Sequence, residues 1–321
     1  MAENASSLGG HVNRTSDYPP SFYIALHIIG IPLGIAIIVG NVLLVIVLKL
    51  SSQKQQKAFK SKTAFILANI ALCDAVGGLF LVLYIGIHPI LDVIGRFPTG
   101  CYFWNVLSVV PLLGGFLLQL LLAIERHVIV NEIPNYPHMN KLVIFLCLMW
   151  IYTLVVSILG LAFISGVAQE AFVMCDILTV SPMYLTTIVF VHVTACAVIC
   201  TVLIFIIRNT VKHHQCKIQV SNTIAYTNLI EDSQIAKTFF GVSTVSFLCW
   251  LLFFVSQILI ASGIRSSVVL TSARWGFLLG HLSYLKCFCY MVFSRPLRED
   301  FKRTLGKSKK RPFRMGTIVR E

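Results

Sequence analysis

The chain has 321 residues, of which 57% are hydrophobic and only 12% charged, and its mean hydropathy is +0.82. Soluble domains are nearer a quarter charged, so an ordinary cytosolic enzyme, a secreted disulfide scaffold and a disordered regulator are excluded. The net charge is +13; in a polytopic membrane protein such an excess reports topology, and DNA binding is a poor reading of it.

Residues 1–21 form a polar leading segment without a basic and apolar signal peptide. It carries two glycosylation sequons, Asn4-Ala5-Ser6 and Asn13-Arg14-Thr15. Seven runs of about 20 apolar residues follow, long enough to cross roughly 30 Å of hydrocarbon. They fall at 22–48, 64–88, 101–125, 142–164, 181–207, 237–261 and 268–293. Backbone groups in lipid must be satisfied within their own segment, so these runs are helices. The fold class is an all-α seven-transmembrane bundle over residues 22–293. No internal repeat is visible, which weighs against an inverted-repeat transporter.

The basic residues orient the bundle. The loop between spans one and two holds Lys49, Lys54, Lys57, Lys60 and Lys62. Arg126 and Lys141 flank the next such loop, and Arg208, Lys212, Lys217 and Lys237 lie between spans five and six. The opposite side has only Arg14, Arg96, Arg265 and Arg274. The positive-inside rule therefore puts the N-terminus outside and the basic tail, 294–321, in the cytoplasm. Leu297, Phe301 and Leu305 recur every four residues, the pattern of an amphipathic surface helix. Lys307 to Arg314 suit anionic lipid.

Particular residues go further. Gly40-Asn41-Val42 lies in span one, and Leu67-Ala68-Asn69-Ile70-Ala71-Leu72-Cys73-Asp74 in span two. Span three opens at Cys101 and closes 25 residues later at Arg126, in Glu125-Arg126-His127. Trp150 stands in span four, Cys249-Trp250 in span six, and Tyr290 ends span seven before Phe293-Ser294-Arg295-Pro296. In this order, and over nearly all of residues 22–306, they resemble a rhodopsin-like (class A) G-protein-coupled receptor, as a divergent member. Three departures stand out. Span six lacks the proline after its tryptophan, span five has none in its interior, and the Asn-Pro-x-x-Tyr motif reads Lys286-Cys287-Phe288-Cys289-Tyr290. Each removes an expected kink.

The resemblance implies roles for particular positions. Cys101 and Cys175 would form the disulfide that pins the second outer loop to span three. Glu125, Arg126, Asp232 and Tyr290 would form the G-protein switch. Asp232 lies 18 residues before Trp250, where an acidic partner would lock Arg126 across spans three and six; Glu231 is the alternative. Asp74 would bind a sodium ion. Here Gly115 and Lys286 occupy the helping positions. The Lys286 ammonium either replaces the sodium ion and pairs with Asp74, or snorkels toward the cytoplasm. An opsin would need a lysine at Gly280, so the light-sensor reading fails.

The corresponding ligand positions are Tyr84, His88, Trp104, Asn105, Ser108, Leu112, Trp250, Phe253, Phe254 and Gln257. Ser108 stands where monoamine receptors have an aspartate. The set suits an uncharged or apolar small molecule or lipid; a short peptide stays open, and so does plain packing by the aromatic residues. His192 and His281 read as packing or hydrogen-bonded histidines. Cys287 and Cys289 diverge on a helix, so no metal is expected, and no cofactor or enzyme motif is present.

The expected function is a plasma-membrane receptor that binds an extracellular ligand and activates a heterotrimeric G protein. The alternatives are a chemosensory, odorant-type receptor and a non-signalling receptor-like protein. A transporter or channel would need a longer polar stripe than Asp74 and Lys286 supply.

Overall fold

A computed structural model describes residues 24, 26–53, 61–94, 98–130, 139–164, 189–218, 223–264, 266–293, 298 and 301–302. A π-helical turn, Leu26–Gly30, leads into α1 (Ile31–Gln53). Then come α2 (Ser61–Ile94), α3 (Pro98–Val130), α4 (Met139–Ile164), α5 (Val191–Ile218) and α6 (Thr223–Ala261). The seventh span is α7 (Ser267–Leu282), a 3-10 turn (Ser283–Leu285) and α8 (Lys286–Phe293). No strand occurs among the described residues.

The helices α1 to α6 are long and apolar enough to cross a membrane. The protein is therefore a multi-pass membrane protein. One expectation needs correction. The seventh run is not one continuous helix: the 3-10 turn divides it, although no proline is present. The Ser283 N–H is shared between the Gly280 and His281 carbonyls at that point, so the helix tightens from α to 3-10 winding. The segment 208–236, left outside the apolar runs, is helical apart from 219–222, which lie outside the described residues. Hydropathy marks only the part of a helix that lies in lipid. The stretch contains neither Gly nor Pro, so nothing stops the helix at the membrane boundary.

Local chemistry explains the α6–α7 turn. Gly263 has φ 87°, a left-handed conformation that glycine adopts without a Cβ penalty. Ile264 N–H reaches back to Leu259 O at 3.0 Å, and Gly263 N–H to Ile260 O at 3.0 Å. This is the Schellman closure of a helix C-terminus. Ser266 then caps α7, its Oγ accepting from Val269 N–H at 3.4 Å.

Packing follows membrane rules, with small residues where helices approach closely. A Cβ on Gly34 of α1 would lie 3.0 Å from Gly78 O on α2, and one on Gly78 would lie 3.0 Å from Gly34 O. A Cβ on Gly276 of α7 would meet Phe253 N of α6 at 2.5 Å. On α4, Ile144, Leu148, Ile151, Val155 and Ile158 are exposed. Their spacing of three and four residues draws one lipid-facing stripe. Inside, two apolar layers fill the bundle. One gathers Ile37, Leu81, Leu113, Phe253, Phe254 and Tyr284; the other gathers Leu44, Ile70, Leu118, Phe239, Cys287 and Tyr290. Along α1, α2 and the seventh span, the buried polar residues Asn41, Asp74 and Lys286 fall where one layer gives way to the other.

Candidate functional site

The polar seam centres on the broken seventh span. Asn41 Nδ2 donates to Tyr284 O at 2.9 Å, and Trp250 Nε1 donates to Ser283 Oγ at 2.9 Å. Lys286 Nζ lies 2.8 Å from Asp74 Oδ1. The two side chains are 4% and 0% exposed, so they form an ion pair shut off from lipid and water. Thus α1, α2 and α6 all grip residues 283–286. A Cβ on Gly115 of α3 would sit 3.6 Å from Lys286 Nζ and 3.9 Å from Asp74 Oδ1. These are ordinary contact distances, so α3 closes over the pair at that glycine. The Lys286 Nζ also lies 5.6 Å from the Tyr284 ring centroid, within cation–π range.

On the Gly263 side of this seam lies an aromatic cluster, the place of the chamber proposed below. The Trp250 and Phe253 rings meet edge-on at 5.7 Å, and Trp250 and Phe277 at 6.2 Å. Phe190 and Phe254 stand 5.1 Å apart. His281 is buried, its Nδ1 2.8 Å from Phe277 O and its ring 4.5 Å from that of Phe277. The bare face of Gly280 receives the Trp250 ring, whose nearest atoms would lie 2.6 Å from an added Cβ. Among the described residues, the chamber's odd member is Gln257. It is fully buried, and neither its Oε1 nor its Nε2 has a hydrogen-bond partner. Tyr84 and Leu112 are buried and belong to the same apolar layer, and Ser108 is half-buried on α3.

At the other end, Arg126 Nε binds Glu125 Oε2 at 2.9 Å, with both side chains buried. Thr63 of α2 completes a ring. Its hydroxyl donates to Glu125 Oε1 at 2.6 Å and accepts from Arg126 Nη2. Beside Arg126 is a cavity of about 10 Å³ lined by Gln119, Ile207, Phe239, Ser243 and Tyr290, room for about one water. Tyr290 is buried, its ring edge-on to that of Phe239 at 5.3 Å.

Of the residues singled out in the sequence, the structure brings together Asp74 with Lys286, Glu125 with Arg126, and Trp250 with Phe253 and Phe254. The side chains of His88, Cys101, Trp104, Asn105, Glu231 and Asp232 lie outside the described residues, as do Cys175, Asn4 and Asn13 and most of the tail. Thr63 and Ser283 emerge only from the fold, because their partners are remote in sequence; Phe277 emerges through its ring contact with Trp250 of another helix.

A family model described as "7 transmembrane receptor (rhodopsin family)" matches residues 40–292. The chain belongs to the rhodopsin family of seven-transmembrane receptors. The crystal structure of squid rhodopsin is similar at a TM-score of 0.72 and 15% identity, covering 95% of this chain and 91% of that one. At that identity the likeness speaks for the fold. No curated protein matches the chain. For a rhodopsin-family receptor, the departures now have structural counterparts. The seventh span breaks without its proline, and a lysine fills the centre of the bundle. Pro111 lies in the interior of α3; its carbonyl accepts from Cys73 Sγ at 3.4 Å.

Proposed function

We propose that the protein is a plasma-membrane receptor, with its N-terminus outside and its tail in the cytoplasm, that binds an uncharged small molecule or lipid and activates a heterotrimeric G protein. The observation that carries this reading is the buried Glu125–Arg126 pair beside a cavity lined by Tyr290 and Phe239, in a chain of this family. A cation closed into the end of a helix is costly unless partnered, so opening the cavity must give Arg126 a new partner. A segment of a G protein fills that role when α3 and α6 separate. Asp232, or Glu231, restrains α6 in the resting state.

The ligand chamber lies at the Trp250 end. Tyr84, Leu112, Trp250, Phe253 and Phe254 supply apolar surface, and the buried amide of Gln257 supplies one donor and one acceptor. Trp104, Asn105, Ser108 and His88 extend it outward, beneath a loop tied by Cys101–Cys175; Asn4 and Asn13 carry glycans. Among the described residues the chamber offers the Gln257 amide and no acid, which favours a neutral ligand over an amine. The receptor catalyses no covalent chemistry, and the basic tail rests on anionic lipid.

Basal cAMP, calcium and G-protein dissociation in cells expressing wild type or Arg126→Ala at equal surface density test the coupling. Wild-type output that Arg126→Ala abolishes supports it. Output that survives the substitution contradicts it.

A further inference from the structure

Asp74 is a costly group to bury. A carboxylate with no exposed surface, deep in a membrane bundle, is unstable unless a cation accompanies it. Among the described residues neither of its oxygens accepts a conventional hydrogen bond, and its ionic partner is the Lys286 ammonium, 2.8 Å from Oδ1. Besides Asp74, the walls that Gly115 and Tyr284 form around that ammonium offer it no further carboxylate. Gly115 presents no side chain on the α3 side, and the Tyr284 ring lies 5.6 Å away. Hard metal ions need shells of several oxygens. What these walls fit is an alkyl stem ending in a compact donor group.

We infer that Lys286 is a tethered counter-cation, and that Asp74, Gly115 and Tyr284 form a site for a primary alkylammonium, closed in the native receptor by the protein's own side chain. Two consequences follow. The native bundle needs no diffusible cation, so sodium leaves its stability unchanged. Removing the stem while leaving Asp74 in place opens the site to a free ligand of the same chemistry. For Lys286→Ala the deleted fragment is n-propylammonium.

Thermal unfolding of the purified full chain in nanodiscs reads this without a ligand or G protein. At constant ionic strength, wild type melts at the same temperature in sodium, tetramethylammonium or n-propylammonium chloride. Lys286→Ala melts lower, and n-propylammonium raises its Tm saturably where the other two salts do not. Asp74→Asn/Lys286→Ala responds to none of them. A wild-type Tm that rises with sodium, and no longer rises in Asp74→Asn, overturns the assignment. So does a Lys286→Ala receptor stabilised equally by sodium and n-propylammonium, or by neither. If Lys286→Ala does not fold, the neutral isostere decides: Lys286→Met destabilises, and adding Asp74→Asn recovers most of the loss. A double variant no better than the single one overturns it.

Discussion

Thr63 has one hydroxyl, and it serves both members of an ion pair: it donates to Glu125 and accepts from Arg126. Valine at this position keeps the shape and removes both bonds. The stripped pair is left buried, at a cost of about 1–3 kcal/mol, and Arg126 is freed toward the cavity. Thr63→Val is therefore expected to lower Tm and raise basal output together, with Thr63→Ser close to wild type; a Thr63→Val receptor with unchanged basal output removes Thr63 from the switch. Gln257 gives the opposite stability effect. Its unpartnered amide is costly, so Gln257→Leu should stabilise the purified receptor by about 1 kcal/mol while weakening its response to ligand. A lower Tm would show that the amide is already satisfied. Among single residues, Asp74 and Lys286 stood out in the sequence because ionisable groups at membrane depth need partners, while the choice between pairing and snorkelling came from the 2.8 Å contact in the structure. Thr63 did not, since its partner lies 62 positions away and hydropathy does not mark a lone threonine.

At the scale of elements, glycines separate close approach from open space. Gly276 and Gly241 both lie within helices, yet a Cβ on Gly276 would strike the Phe253 backbone while one on Gly241 would meet nothing within 4 Å. Gly276→Ala should cost about 1–3 kcal/mol through forced separation of α6 and α7. Gly241→Ala should be neutral or stabilising, by up to about 1 kcal/mol from helix propensity. Unfolding midpoints of the two variants check this, and equal losses would contradict the packing. The helices themselves were legible because lipid leaves the backbone no other choice. Their ends beyond the membrane were not: no Gly or Pro lies within 208–236, and apolar runs end before helices do. The break at Ser283–Leu285 was also hidden, because the sign of a break is a proline and none is there. It is held instead by three side-chain contacts, from Asn41, Trp250 and Asp74, each made by a different helix.

Across the whole molecule, two apolar layers meet at a charged seam, with an aromatic cluster at one end and the Arg126 cavity at the other. Residues 283–286 touch α1, α2 and α6 between them, so a ligand that displaces the Trp250 ring acts directly on Ser283 and on the turn that carries Lys286. Coupling across such a packed centre needs an element with two arrangements, and the 3-10 turn is the element so placed. The most direct measurement is guanine-nucleotide exchange on purified heterotrimers of each G-protein class, mixed with receptor in nanodiscs. Wild type, Thr63→Val and Arg126→Ala are compared. The account expects exchange above empty nanodiscs with one class, faster exchange with Thr63→Val, and none with Arg126→Ala. Exchange by Arg126→Ala equal to wild type, or no exchange with any class from either of the other two, would contradict it.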